Sequence, residues 1–410
     1  MTREARTDPF DAAVFQALPP APEHVQGVRK QAFEEFRSLP IPSQETEEWR
    51  YTDLTSFDLR FEPTPPRHTL TTSNQQIADL GVVFCDLDRA AEERPELVEP
   101  NLHTLVPTGR TKFTALHGAF RSGGTFLYVP RGVRIELPLQ TVTSLHDDGA
   151  AVFPHTLVIA EEGSDVTLID RFTSPELERA FSDAIAEIHV GDGARVRYAS
   201  IQEWGSGVTH LGIQRATVGR DAEFRSLAIG FGASLARAEA ETVLAGQGGF
   251  SEMLGVFFAD GSQHFDHRSV QDHAAPHCTS DLLYKGALRD ASRAVYSGWV
   301  HVRPGAQKTD AMQTSRNIVL SEHAKADAIP NLEIEANDVR CGHAASVGPV
   351  EEETLFYLES RGIPRAEAER LIVTGFFQEV LDRVTLEEVR RNAELAIQEE
   401  LGVGQLAEAV

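Results

Sequence analysis

The stretch TLVIAEEGSDVTLIDRF, Thr156 to Phe172, decides the fold. An apolar run rich in β-branched residues enters a tight acidic and glycine turn, and a second apolar run leaves it. Val, Ile and Thr suit a pleated, buried surface, and glycine supplies backbone angles that other residues resist. The same shape returns in AEIHVGDGARVRYASIQEW (186–204), ATVGRDAEFRSLAIGFG (216–232) and TVLAGQGGFSEMLGVFFADG (242–261). Taking Gly163, Gly193, Asp221 and Gly248 as equivalent positions, the unit recurs every 27 to 30 residues. A drifting repeat of that length marks a solenoid. Strand patterns fill the units without an intervening helical period, so the expected fold is mainly β, a β-helix of stacked coils with a continuous apolar interior. A β-sandwich also has recurring strands and turns; the near-constant two-strand unit favours the solenoid.

Three regions follow: 1–100, 101–345 and 346–410. In the first, Val25, Val28, Ala32, Phe33 and Phe36 recur at helical spacing, and prolines punctuate the rest. EEWRYTDL, Glu47 to Leu54, sets Trp49 and Tyr51 in a polar context, as an arm docking on the main body would. In the last region EEETLFYLESRG forms a helix ended by Gly362, and Pro364 opens a second. Leu371, Ile372, Gly375, Phe376 and Val380 form its apolar stripe, and Thr385 with Glu388 makes a capping-box pattern before a third helix carrying Val389, Ala393 and Ile397. This tail either covers the solenoid end or holds a partner.

Of the 410 residues, 41% are hydrophobic and 24% charged, enough for a full core. Acids outnumber bases 62 to 38, for a net charge of −24, which disfavours duplex nucleic acid and anionic membranes as partners. Three cysteines, Cys85, Cys278 and Cys341, are too few for a disulfide framework. MTREARTDPFDAA lacks an apolar signal core, and no apolar run approaches the roughly 20 residues that span a bilayer. The expectation is a cytoplasmic protein with reduced thiols.

Two segments carry ligand chemistry. HFDHRSVQDHAAPHC, His264 to Cys278, holds His264, His267, His273 and His277. Its spacings match no zinc finger, and strand alternation puts His273 and His277 on one face but separates His264 from His267. Polar lining of coil edges is the expectation there. In NLEIEANDVRCGHAASVG (331–348), Leu332, Ile334 and Ala336 alternate with Glu333, Glu335 and Asn337, and Asn337-Asp338 signals a turn. Val339, Cys341 and His343 then alternate again, so Cys341 and His343 share a face about 7 Å apart along a strand. Thiolate and imidazole together suit iron, zinc or an iron–sulfur cluster. A buried cysteine beside a structural histidine is the other reading. Two ligands leave a tetrahedral site incomplete, so further ligands would come from elsewhere in the chain or from a second one.

LEIEANDVRCGHAASVGPVEEETLFYLESRGIPRAEAERLIVTGFFQEV (332–380) resembles the C-terminal signature of the SufB/SufD family of iron–sulfur cluster assembly proteins. AQKTDAMQTSRNIVLSEHAKADAIPNLEI (306–334) and EEWRYTDL are similar to the family's preceding segment and N-terminal motif. VRCGHAAS (339–346) is most like SufD. The resemblance implies a right-handed parallel β-helix between helical end regions. It implies a non-catalytic scaffold that pairs with SufB through the β-helices and docks the ATPase SufC through the C-terminal helices. The nascent cluster would form at the SufB junction, with His343 and Cys341 facing a SufB cysteine. A reduced flavin occurs in some such complexes. The chain has no G-x-x-x-x-G-K-[ST] run, so ATP chemistry would belong to the partner. Competing readings are a SufB-like homodimeric scaffold, or a β-helix enzyme dependent on metal or acting on carbohydrate.

Overall fold

The computed structural model describes residues 9–72, 77–384 and 387–400. Alternate strands of the chain build two facing sheets. One begins at Arg67–Thr71 and Leu139–Ser144. It continues through Asp165–Thr173, Arg195–Trp204, Glu223–Gly232, Phe250–Ala259, Thr279–Leu288 and Asp310–Val319 to Arg340–Pro349. The other runs from Val83–Asp86 and Thr125–Val129 through His155–Ala160, Ala180–Val190, Val208–Val218, Leu235–Leu244, His264–His273 and Arg293–Val302 to Lys325–Ile334. Pairing between coils is parallel and in line, as in Arg195 beside Glu223, Glu223 beside Phe250 and Phe250 beside Thr279. The result is a parallel β-solenoid of about eight turns with helices at both ends of the chain.

The repeat positions read from the sequence are one column of turns. Gly163, Gly193, Asp221 and Gly248 all have positive φ, and His277 and Lys308 continue the column at φ 61° and 62°. Each amide donates to the neighbouring turn: Gly163 to the Asp192 carbonyl at 2.9 Å, Gly193 to Arg220 at 2.8 Å, His277 to Gln307 at 2.8 Å. Left-handed backbone explains the glycines, and Asp and His are among the residues that tolerate it best.

Along each strand, residues alternate between the interior and an outer face. Val166, Leu168, Val196, Tyr198, Phe224 and Cys278 belong to one interior cluster. The N-terminal region, in which helices alternate with short strands, covers the outer face of one sheet through Phe33, Phe36, Trp49, Phe113 and Phe181. The tail helices Glu352–Ser360, Arg365–Leu381 and Glu387–Glu400 follow Asp310–Val319 and Arg340–Pro349. They lie across the outer face of the other sheet, where Val373, Phe377, Val380, Val389, Ala393 and Ile397 meet Ile229, Leu254 and Leu283. The described part of the tail therefore runs along the rod's side.

Gly362 has φ +87° just past the helix end at Arg361, as a C′ glycine should. The stripe expected on the second tail helix is rotated. Ala368, Val373, Phe377, Val380 and Leu381 are buried, whereas Leu371 and Gly375 face solvent. The helix is apolar on more than one side, so the period alone did not fix which side meets the sheet. The capping pattern at Thr385 and Glu388 lies outside the described residues and side chains. Among the described residues, no helix is long and apolar enough to cross a membrane.

Candidate functional site

Arg340–Pro349 and Lys325–Ile334 are the last strands of their sheets; the first is largely exposed and the second mostly half-buried. Among the described residues each pairs on one side only, with Asp310–Val319 and Arg293–Val302 respectively. A strand in that position offers unpaired N–H and C=O groups along its free edge. Cys341 lies beside Ala311 and His343 beside Gln313. Ala311 and Gln313 are buried and face the interior. Register therefore turns Cys341 and His343 to the same side, over the open end of the rod. Cys341 is half-buried against Val300, Val302, Ala306 and Ala311, and His343 is exposed. Burial pushes the Cys341 thiol up, with the charge of Asp310 adding to the effect. A neutral thiol becomes a ligand once a metal or positive charge arrives to favour the thiolate.

The interior below is polar. Both amide atoms of Gln313 and the side-chain oxygens of Ser315 and Asn317 are buried without protein partners. Such groups otherwise cost stability. Ser269 and Tyr296 share a hydroxyl hydrogen bond at 2.7 Å deeper in the same region.

The histidine stretch is dispersed. His264–His273 is one strand, in which the His267 ring stacks on Phe257 at 4.6 Å and His273 Nε2 meets Ser280 Oγ at 2.9 Å. His277 is a turn residue, so His273 and His277 do not share a face as the alternation predicted; the strand ends at His273 and the turn breaks its period. The Cys278 thiol is buried and donates to the Gly246 carbonyl at 3.3 Å. EEWRYTDL anchors the arm, with Trp49 on Arg237, Thr52 donating to Asp266, and Arg268 donating to the Glu48 carbonyl at 2.7 Å.

A second cluster has no motif in the sequence. His103, His155 and Glu187 bring one ligand atom each to within 4.8 Å of the others, with His117 behind His155. They come from a loop and two separate strands, so only the fold assembles them. The available signal was an acidic residue, Glu187, among the buried positions of the strand AFSDAIAEIHV.

The tail also leaves apolar side chains uncovered. Phe356 is 72% exposed, Tyr357 56% and Leu371 46%. Large apolar groups so placed mark contact surfaces when they cluster.

Comparison with known proteins agrees with this architecture. Residues 142–376 match the family described as SUF system FeS cluster assembly, SufBD core domain, and residues 67–141 match the SufBD protein N-terminal region. The iron–sulfur cluster assembly protein SufD of Bacillus subtilis is 32% identical over 90% of this chain and 92% of its own length. The iron–sulfur cluster assembly SufBD family protein Rv1462 of Mycobacterium tuberculosis is 33% identical over 94% of this chain and 96% of its own. With the stacked coils, the flanking helices and both family regions in place, the chain belongs to the SufBD family of iron–sulfur cluster assembly proteins and is SufD-like.

Proposed function

We propose that this chain is a non-catalytic scaffold subunit of a SufBCD-type assembly complex. In this reading its terminal coil pairs with SufB, and the nascent cluster is the cargo formed at that junction. Cys341 and His343 supply two of its ligands, and a SufB cysteine supplies another. SufC docks on the C-terminal helices around Phe356 and Tyr357. Nucleotide closure of SufC then moves the tail, and the tail moves the sheet on which it lies.

The observation that carries the reading is the uncovered terminal strand Arg340–Pro349, which presents Cys341 and His343 at an edge able to accept another chain. A thiol and an imidazole on one rung leave coordination unfinished, which suits a ligand set shared between chains. The ion pairs between the tail and the sheet support the mechanical link. Arg383 contacts Glu252 at 2.7 Å and Asp281 at 2.5 Å, and Lys285 pairs with Glu379. A shift of Arg365–Leu381 would thus be felt by the strands below.

The test is co-expression of this chain with the SufB and SufC of the same organism. A stable three-protein complex is expected, and its His343→Ala form should assemble intact yet build clusters at least tenfold more slowly. An intact parent rate in that variant would remove His343 from the site. Failure of the three chains to co-purify would remove the whole reading.

A further inference from the structure

The loop at 99–107 crosses the outer face of the sheet above His155–Ala160 and Ala180–Val190, and a hydrogen-bond chain there assigns its own tautomers. His117 Nδ1 lies 2.8 Å from the Asp183 carbonyl oxygen, which can only accept, so that nitrogen carries the hydrogen. His117 Nε2 is then a lone pair, and His155 Nδ1, 3.1 Å away, donates to it. His155 Nε2 is left as a lone pair facing Glu187 Oε2 at 3.0 Å.

Glu187 is clamped by the loop that crosses above it. It accepts the backbone N–H groups of His103 at 2.6 Å, Leu105 at 2.6 Å and Val106 at 2.9 Å. Three such donors fix both carboxyl oxygens in place. Two lone pairs 3.0 Å apart repel, and the arrangement calls for a cation between them. His103 completes the picture. Its Nδ1 is 3.4 Å from the Val106 carbonyl and donates there, while its Nε2 is shielded from solvent and has no protein partner. The same backbone clamp holds His103 at φ 58°, in left-handed backbone that is uncommon for a residue with a side chain.

Both imidazoles thus have the outer N–H engaged and the inner nitrogen free, the condition in which histidine ligates metal. We propose that His103 Nε2, His155 Nε2 and Glu187 Oε2 together hold one divalent transition-metal ion, zinc or ferrous iron. Two imidazoles and a carboxylate suit either ion and leave a position for water. Donors around an ion bound at about 2.1 Å lie roughly 3–4 Å apart, so a movement of about 1 Å closes the set. His155 and Glu187 are fully buried, and the half-buried His103 provides the entry side. The ion would clamp the N-terminal region to the solenoid, far along the chain from Cys341 and His343.

Cobalt(II) is the probe, because its visible absorption reports nitrogen and oxygen coordination. The full-length chain carries Cys341→Ser and His343→Ala, to silence the other candidate ligands, and is stripped with chelator before titration. Uptake of about one cobalt per chain, displaced by zinc, is expected. His103→Asn keeps a residue that tolerates positive φ and should reduce uptake at least tenfold with the far-ultraviolet circular dichroism unchanged. His117→Gln, which alters only the support of His155, should weaken binding about 10- to 100-fold. No cobalt uptake by the stripped parent would show that a proton alone bridges His155 and Glu187 and would overturn the proposal. Undiminished uptake by folded His103→Asn would do the same.

Discussion

The Arg237 guanidinium carbon lies 4.1 Å from the centre of the Trp49 ring, and both side chains are almost wholly buried. Arg237 also pairs with Asp266 and with Glu239 at 2.6 Å, so the indole covers a charge already held by two carboxylates. This joins the 47–54 arm to the sheet by packing and by the attraction of a cation for a ring face. Trp49→Ala removes both and leaves a cavity beside Phe113, 5.4 Å away. A loss of about 3–5 kcal/mol is expected from urea denaturation, with Trp49→Phe losing less than half as much.

The solenoid was legible because its turns demand left-handed backbone at fixed intervals, and Gly163, Gly193, Asp221 and Gly248 announce that demand. The anchoring role of Trp49 was legible from its size and its polar setting. The face of Arg365–Leu381 was not, because Leu371 and Phe377 are equally apolar and only the sheet decides which is buried. The His103–His155–Glu187 group was hidden for a different reason. Its members are brought together by coil stacking, which has no counterpart in local spacing.

His277 tests whether the histidine stretch is structural. It occupies the left-handed turn position held by glycine in earlier coils. His277→Gly should be neutral or up to about 1 kcal/mol more stable, whereas His277→Val should lose about 1–2 kcal/mol. Bound metal should be the same in both. Metal lost from both variants relative to the parent would restore a ligand role.

Acid should weaken the fold through its buried imidazoles. Burial pushes His210 down to about 3 and His267 and His273 down to about 4. Unfolded, each takes up a proton below about pH 6.5; folded, each does so only near pH 3–4. Their full contribution is therefore present above pH 6.5 and is lost as the pH falls towards 4. His210→Asn keeps an acceptor for the Trp204 indole N–H, which donates to His210 Nδ1 at 3.1 Å. Urea midpoints between pH 6.5 and 4.5 should show a slope shallower by about 1.4 kcal/mol per pH unit in that variant.

Phe356 and Tyr357 are the exposed apolar pair at the tail, and a partner bound there would bury them. Phe356→Asp should weaken SufC binding at least tenfold by calorimetry, as removal of an aromatic anchor does. Because the side chain touches little of its own chain, thermal stability should change by no more than about 0.5 kcal/mol. Unchanged affinity would place SufC elsewhere.

Strand addition at the solenoid end makes a prediction that separates edge pairing from general surface contact. The Arg340 N–H donates to the Thr309 carbonyl, so alternate residues from Arg340 face Asp310–Val319. The amides of Cys341, His343 and Ala345 then point to the free edge. Ala345→Pro removes an outward N–H without breaking an internal bond, at an edge position where proline is tolerated. Pairing with SufB should fall at least tenfold in pull-down or calorimetry. Folding of the isolated chain should stay within about 1 kcal/mol of the parent, since no buried contact is lost. Ala344→Pro, one residue away, faces inward and should lose about 3 kcal/mol or more of stability. Equal partner affinity in parent and Ala345→Pro, with the fold intact, would show that the second chain does not join along this strand.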